Sequence, residues 1–311
     1  MNTNVRNYFI KIIALILVGS YLMDKIAFVL LNSISDEVYS GQSIGKLNQF
    51  LEIKDELDFI VVGSSRANHH VDVSKIHDNS FNIGLDGTKM AYASTLIKTL
   101  SNKEQVILMH ISPETAFSES YNGDDVQSLK SKYNRNKAIK NEIDFLKKNN
   151  PLQNFYWSLG YTGSILGMIK NIYFPNYDYT KYKGYDPLVV NSNQKEILEK
   201  ILKRNTTKPC KNKLTLNPIY AHYLTELEIF SKQNNKRIVL FTAPIYNDVC
   251  KSDNQKLQKF LQKSTFEYID YTDFFKHNNT IDLWKDRTHL SDKGAQLLTF
   301  QLKKKINIKS N

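Results

Sequence analysis

The chain has 311 residues, 41% hydrophobic and 12% aromatic, with only seven Pro and twelve Gly; this is enough apolar material for a packed core and excludes a disordered or collagen-like chain. Two cysteines can build neither a disulfide-dense secreted scaffold nor a four-cysteine zinc site. The formal net charge of +11 is concentrated, because residues 126–213 carry 17 Lys plus Arg against 6 Asp plus Glu and the rest of the chain sums to zero.

The first predicted element is apolar. Arg6 and Lys11 flank an uninterrupted hydrophobic run from 12 to 23, and adding 26–31 gives a stretch of 24 residues from 8 to 31. At ~1.5 Å per residue a helix of that length crosses ~30 Å of hydrocarbon. Asp24 and Lys25 interrupt it, and a charge costs ~2.5 to 3.5 kcal/mol at mid-membrane, less near an end or when paired. A cleaved signal peptide would use a small residue near Gly19 or Ser20, whereas a retained anchor uses the whole stretch. Both readings leave Arg6 in the cytoplasm and the body outside it; a buried helix of a soluble protein is the third. The expected organisation is an anchor over 1–31, a mixed polar linker with a short helix over 32–56, and a body over 57–311.

In the body, 59–62 is a buried strand of four apolar residues stopped by Gly63-Ser64-Ser65. Similar runs recur at 81–83, 106–111, 238–241 and 266–271. Between and after them, 90–100, 220–230, 257–261 and 295–306 carry apolar residues at helical spacing. This alternation predicts an α/β fold, a parallel sheet covered on both faces in three layers, with functional groups at the carboxyl ends of its strands. Residues 115–215 break the rhythm and predict an inserted helical cap holding the basic excess and Tyr156, Trp157, Tyr161, Tyr173, Tyr177, Tyr179, Tyr182 and Tyr185. Aromatic faces and lysines there suit an acylated or anionic glycan; solvated lysines over a small aromatic core are the structural alternative. Nucleic acid fits the charge but not an exported location.

A serine esterase needs a hydroxyl at an exposed strand-to-helix turn, a histidine to take its proton and a carboxylate to hold that histidine. Ser65 follows the first body strand directly after a glycine, and its own N–H lies where a helix begins, suited to an oxyanion. Near the carboxyl end, Asp286 and His289 stand three apart, and Ser291 is a natural cap for the last helix. His69, His70 and His110 are better read as cleft or surface residues than as metal ligands, so no metal is expected.

These residues resemble the SGNH or GDSL-type hydrolases. Gly63-Ser64-Ser65 matches their first block, with Ser64 where many members have Asp, and Asp286 to His289 followed by Leu290 and Ser291 matches their D-x-x-H block. Asn82-Ile83-Gly84-Leu85-Asp86-Gly87 is similar to the second block, in which a glycine N–H helps form the oxyanion hole; that role aligns with Gly87, or with Gly84. The resemblance covers 57–112 and 236–306. It implies a flavodoxin-like three-layer α/β/α fold, a triad of Ser65, His289 and Asp286, an oxyanion hole of the Ser65 and Gly87 N–H groups, and no cofactor. The third block departs: the family's Gly-x-Asn is replaced by His110-Ile111-Ser112, and losing such a donor typically costs ~2.7 to 4 kcal/mol in the transition state. Arg66 and Asn68 are candidate substitutes and, with Gly84, candidate substrate-binding residues.

The membrane-anchored branch of that family, which includes the D-alanyl transfer protein of teichoic acid modification and the alginate acetylation proteins, is the one this arrangement most resembles. The resemblance implies ester hydrolysis or acyl transfer on a cell-envelope polysaccharide, with the membrane as a partner and, for transfer, a membrane acyltransferase that supplies the acyl group. A non-catalytic glycan-binding or assembly component with the same fold is the alternative. Outside the cytoplasm Cys210 and Cys250 are expected to pair.

Overall fold

The computed structural model describes residues 3–177, 179–203, 210 and 215–308. In chain order the helices are α1 (Thr3–Asp36), α2 (Lys46–Ile53), α3 (Ser65–His70), α4 (Met90–Ile97), α5 (Pro113–Ala116), α6 (Lys137–Phe145) and α7 (Pro151–Phe155). They continue as α8 (Ile165–Tyr173), α9 (Tyr179–Tyr182), α10 (Ser192–Lys203), α11 (Pro218–Gln233), α12 (Lys251–Leu261) and α13 (Asp292–Ile306). The strands are β1 (Phe59–Val62), β2 (Ser80–Asn82), β3 (Gln105–His110), β4 (Lys236–Thr242) and β5 (Glu267–Asp270). Tertiary contacts divide the chain into two units: α1 and its continuation to Asn48 with Leu129–Tyr177, and Gln49–Ser128 with the described residues after Tyr177.

The second unit is α/β, built on one sheet of five parallel strands in the order β2-β1-β3-β4-β5. The middle positions of its central strands, 59–62, 106–109 and 238–241, are apolar because both faces are covered. Phe59, Val61, Leu108, Val239 and Phe241 share one face, where they pack with Ala67 and Val71 of α3 and Leu298 and Leu302 of α13. Ile60, Val62, Ile107, Met109, Ile238 and Leu240 alternate with them, point the other way and are equally buried. The predicted strands all occur within two residues of their expected bounds. Cys210 and Cys250 are joined by a disulfide, their Cα atoms 5.4 Å apart.

The first unit departs from the expected organisation in two ways. The helix does not stop at residue 31 but runs to Asp36, so residues 32–36 of the expected linker belong to it; a helical turn at Gly41–Gly45 follows, and α2 is the short helix expected within 32–56. The inserted 115–215 region, helical or irregular wherever it is described, is no single cap: 129–177 groups with α1, while 115–128 and the described residues after 178 group with the sheet. Both departures have one cause, contacts far apart in sequence. Arg135 forks onto the Asp36 carboxylate at 2.8 and 2.6 Å, and Tyr161 donates to Asn32 at 2.5 Å. Phe28, Val38, Ile44, Tyr161 and Met168 form a separate small core. By length and composition, Val5–Asp36 suffices to cross a membrane.

Candidate active site

The site lies in the second unit at the carboxyl ends of β1 and β3, the point where the strand order reverses and where open parallel sheets place their ligands. β1 ends at Val62, and Gly63 takes the turn with φ +134, a conformation side chains rarely adopt. A Cβ there would also come within 2.9 Å of the His110 Cβ. Ser64 caps the next helix by accepting the Arg66 N–H at 3.3 Å, so Ser65 is the first residue of α3.

Ser65 Oγ lies 2.7 Å from His289 Nε2, and His289 Nδ1 lies 2.8 Å from Asp286 Oδ2. The loop that presents the pair is tied to itself. Asp286 Oδ1 accepts from the N–H groups of Thr288 and His289 at 2.7 and 2.9 Å, leaving its other oxygen to the imidazole. Lys285 N–H returns to the His289 carbonyl, and the buried Trp284 bridges to Leu290. Burial works against the Asp286 carboxylate, yet bonds from the His289 ring and from the Thr288 and His289 N–H groups hold it well below the usual carboxylate range. A permanently ionised Asp286 keeps the proton of His289 on Nδ1 and leaves Nε2 to accept from Ser65.

Among the described residues, neither the Ser65 nor the Gly87 N–H donates to a protein acceptor. Gly87 sits in an exposed turn after β2 at φ +76. Gly84 is different: its N–H is given to Asn82 Oδ1 at 2.9 Å, and a Cβ on it would stand 2.6 Å from the Asn68 nitrogen. It therefore serves close packing of the turn beneath α3. Asn68 is fully buried and donates to Asp86 at 2.9 Å. Arg66 is 7% exposed, and its Nη1 has no hydrogen-bond partner. Burial lowers its pKa against the opposing pull of Glu114, Asp248 and Asp286. His110, the first residue of the His110-Ile111-Ser112 segment that departs from the expected Gly-x-Asn, turns its Nδ1 to Ser64 Oγ at 3.0 Å. Burial, helped by the Arg66 charge and by the one His289 would carry when protonated, pushes its pKa well down.

Three participants have no signature in local sequence pattern. His69 offers Nδ1 to the Asp186 carbonyl at 2.7 Å and Nε2 to the two Asp86 oxygens at 3.0 and 3.1 Å, so both ring nitrogens are donors. Burial pulls its pKa down, but Asp86 and Asp186 outweigh it and the net direction is up. This places a cation whose ring centroid is 5.9 Å from that of His289. The hint in the chain is the nearness of His69 to Ser65 and of Asp86 to the second glycine turn. With His69 on two aspartates, His70 on Leu290 N–H and His110 on Ser64, each histidine has a protein partner for at least one ring nitrogen.

Beside the 284–290 loop, tied to it through Tyr246 N–H and the Arg287 carbonyl, is a cleft of about 210 Å³. Asn247, Asp248, Lys251, Asp273, Lys276 and Asn279 line it over buried Phe275 and Trp284. Of the tyrosines read as sugar-stacking candidates, Tyr161 and Tyr185 are core residues and Tyr173 is 73% exposed. The side chain of Tyr179 and residues 204–209 and 211–214 of the basic segment lie outside the described residues. No protein-family model matches the chain, and no curated protein matches it.

Proposed function

We propose that this protein is a serine esterase or acyltransferase of SGNH type, anchored in the membrane by α1, with its α/β unit outside the cytoplasm. The observation that carries the reading is the unbroken relay from Ser65 Oγ through His289 to Asp286, at 2.7 and 2.8 Å. In the reaction Ser65 attacks the acyl carbon while His289 takes the hydroxyl proton; the tetrahedral oxyanion is held by the Ser65 and Gly87 N–H groups; and His289 then gives the proton to the leaving alcohol. The acyl group left on Ser65 passes to water in hydrolysis or to a second hydroxyl in transfer. A polar cleft of amides and charges beside the loop suits a glycan, and the Cys210–Cys250 disulfide accords with an oxidising compartment.

The departure of the third block, which reads His110-Ile111-Ser112 in place of Gly-x-Asn, with His110 Nδ1 turned to Ser64, favours a second reading, a non-catalytic glycan-binding or assembly component. Fluorophosphonate labelling separates the two. The full chain is the right material, since removing residues 1–36 would strip Phe28 and Asp36 from the core and ion pairs of the first unit. Labelling that is lost in Ser65→Ala and His289→Ala supports the enzyme; no labelling of the folded chain in the presence of lipid refutes an independently activated serine.

A further inference from the structure

Asp24 and Lys25 fall inside the 24-residue apolar stretch, where unpaired charges are costly. Neither is left to lipid. Asp24 accepts from the N–H groups of Trp157 and Ser158 at 2.8 and 3.1 Å and from Ser158 Oγ at 2.5 Å. Lys25 Nζ bonds Asp24 at 3.0 Å and the Phe155 carbonyl at 2.6 Å, and stands 4.0 Å from the Trp157 ring centroid. Even deeper in the stretch, Ser20 bonds Tyr156 at 2.9 Å and the Tyr21 and Phe155 rings lie 4.9 Å apart. If α1 crosses the bilayer with this stretch, residues 155–158 must sit at the level of the membrane boundary, not above it.

The same lobe carries an apolar surface that is open among the described residues. Leu152 is 60% exposed, Leu166 83%, and Tyr173 and Phe174 73% each, with Ile165 and Ile169 also open. At about 100° per residue, Ile165, Leu166, Ile169 and Tyr173 fall within an arc of about 100° on α8, while Met168, on another side, is buried in the core with Phe28. Lys170 flanks the stripe and is exposed. Residues 129–177 hold eight Lys plus Arg against two acidic residues. Apolar and aromatic side chains on one face beside exposed lysine define a helix that lies in a lipid interface.

We infer that α7, the turn at 157–161 and α8 form a collar around the anchor, embedded in the outer leaflet, with Leu152, Leu166, Ile169, Tyr173 and Phe174 among the acyl chains and the lysines at anionic headgroups. The inference rests on α1 spanning the membrane. It makes the first unit a platform that fixes the height of residues 129–177 on the bilayer, where a single helix alone would leave it free to tilt. Continuity with the lipid-facing surface of α1, which stays apolar through Leu15, Met23, Val29 and Leu30, is what selects lipid over a protein as the occupant.

The test uses the full chain, with no other protein, in vesicles of phosphatidylcholine and phosphatidylglycerol containing lipids brominated along the acyl chain from the headgroup end to the bilayer centre. Leu166→Trp, Ile169→Trp and, as the anchor reference, Leu15→Trp are compared after subtracting the emission of the unsubstituted chain; all three positions are exposed, so the fold is undisturbed. Quenching at 166 and 169 at least half as strong as at 15 is expected. Quenching at 15 with none at 166 and 169 would overturn the collar alone and leave that face for a protein partner or a second copy. No quenching at 15 would remove the spanning helix on which the collar rests.

Discussion

The Leu290 N–H donates to His70 Nε2 at 3.0 Å, which pins the backbone immediately after His289 to the helix that begins with Ser65. His70 is fully buried, and burial, reinforced by the charge His289 would carry when protonated and by that of Arg66, pushes its pKa well below the ordinary histidine value. The ring is therefore neutral and carries its proton on Nδ1. His70→Leu would strand a buried N–H, at a cost of ~1 to 3 kcal/mol, and let the 284–290 loop shift. We expect a lower melting temperature and fluorophosphonate labelling slowed tenfold or more, with His70→Gln, which restores an acceptor, recovering part of both. Unchanged labelling in a folded His70→Leu chain would show that the bond is structural only.

The histidines also set opposite pH dependences. An unfolded histidine takes up its proton near pH 6.5, whereas folded His70 and His110 resist protonation until well below it. The stability they contribute is therefore fully present above about pH 6.5 and is lost as pH falls toward their folded values, by up to ~1.4 kcal/mol per pH unit for each. His69, with its raised pKa, contributes stability that is fully present below about pH 6.5 and is lost as pH rises through the folded value. Unfolding of the full chain in detergent should show the His69→Gln deficit shrinking from pH 6 to pH 9. The acid limb between pH 6.5 and 5 should flatten in His70→Leu. Parallel curves for all three proteins would contradict the assignment.

What was legible in the sequence was local. The strand-turn-serine at 59–65 and the Asp286-to-His289 loop are each specified by a handful of adjacent residues, and the strands appear as apolar runs because the sheet is covered on both faces. What was not legible depends on partners remote in the chain. The Leu290 and His70 contact spans 220 residues, the Arg135 fork that extends α1 to Asp36 spans 99, and no periodicity in 115–215 reveals that its middle portion belongs with the amino-terminal helix. Aromatic counting fails for a related reason: Tyr161 and Tyr173 are the same residue type in one basic, aromatic region, but one is wholly buried and the other largely open.

The disulfide supplies a measure of the second unit independent of catalysis. Cys210 precedes α11, and Cys250 is the capping residue of α12, so the bond closes a 40-residue loop that carries α11 and β4. In the chain-entropy account such a loop contributes ~3 to 4 kcal/mol. We expect reductant to lower the denaturant midpoint, Cys210→Ser and Cys250→Ser to do so equally, and reductant to have no further effect on either variant. A reductant effect that survives in Cys210→Ser would exclude this pairing as its source.

Asp24 is where the first unit is most exposed to a single change. Its carboxylate is the shared acceptor for the Trp157 and Ser158 N–H groups and the counter-ion of Lys25. Asp24→Ala leaves both N–H groups without that acceptor, at ~1 to 3 kcal/mol for each that finds no other, and leaves an ammonium beside the Trp157 ring without its partner. Asp24→Asn keeps an acceptor oxygen but not the charge and should be milder. We expect trypsin to cut the full chain at Lys147, Lys148 or Lys170 several-fold faster in Asp24→Ala than in Asp24→Asn, and in either faster than in the unsubstituted chain. The labelling rate at Ser65, in the other unit, should stay within twofold. Equal trypsin rates in all three would mean that the collar is held by Phe28, Tyr161 and the Asp36 and Arg135 pair without help from Asp24.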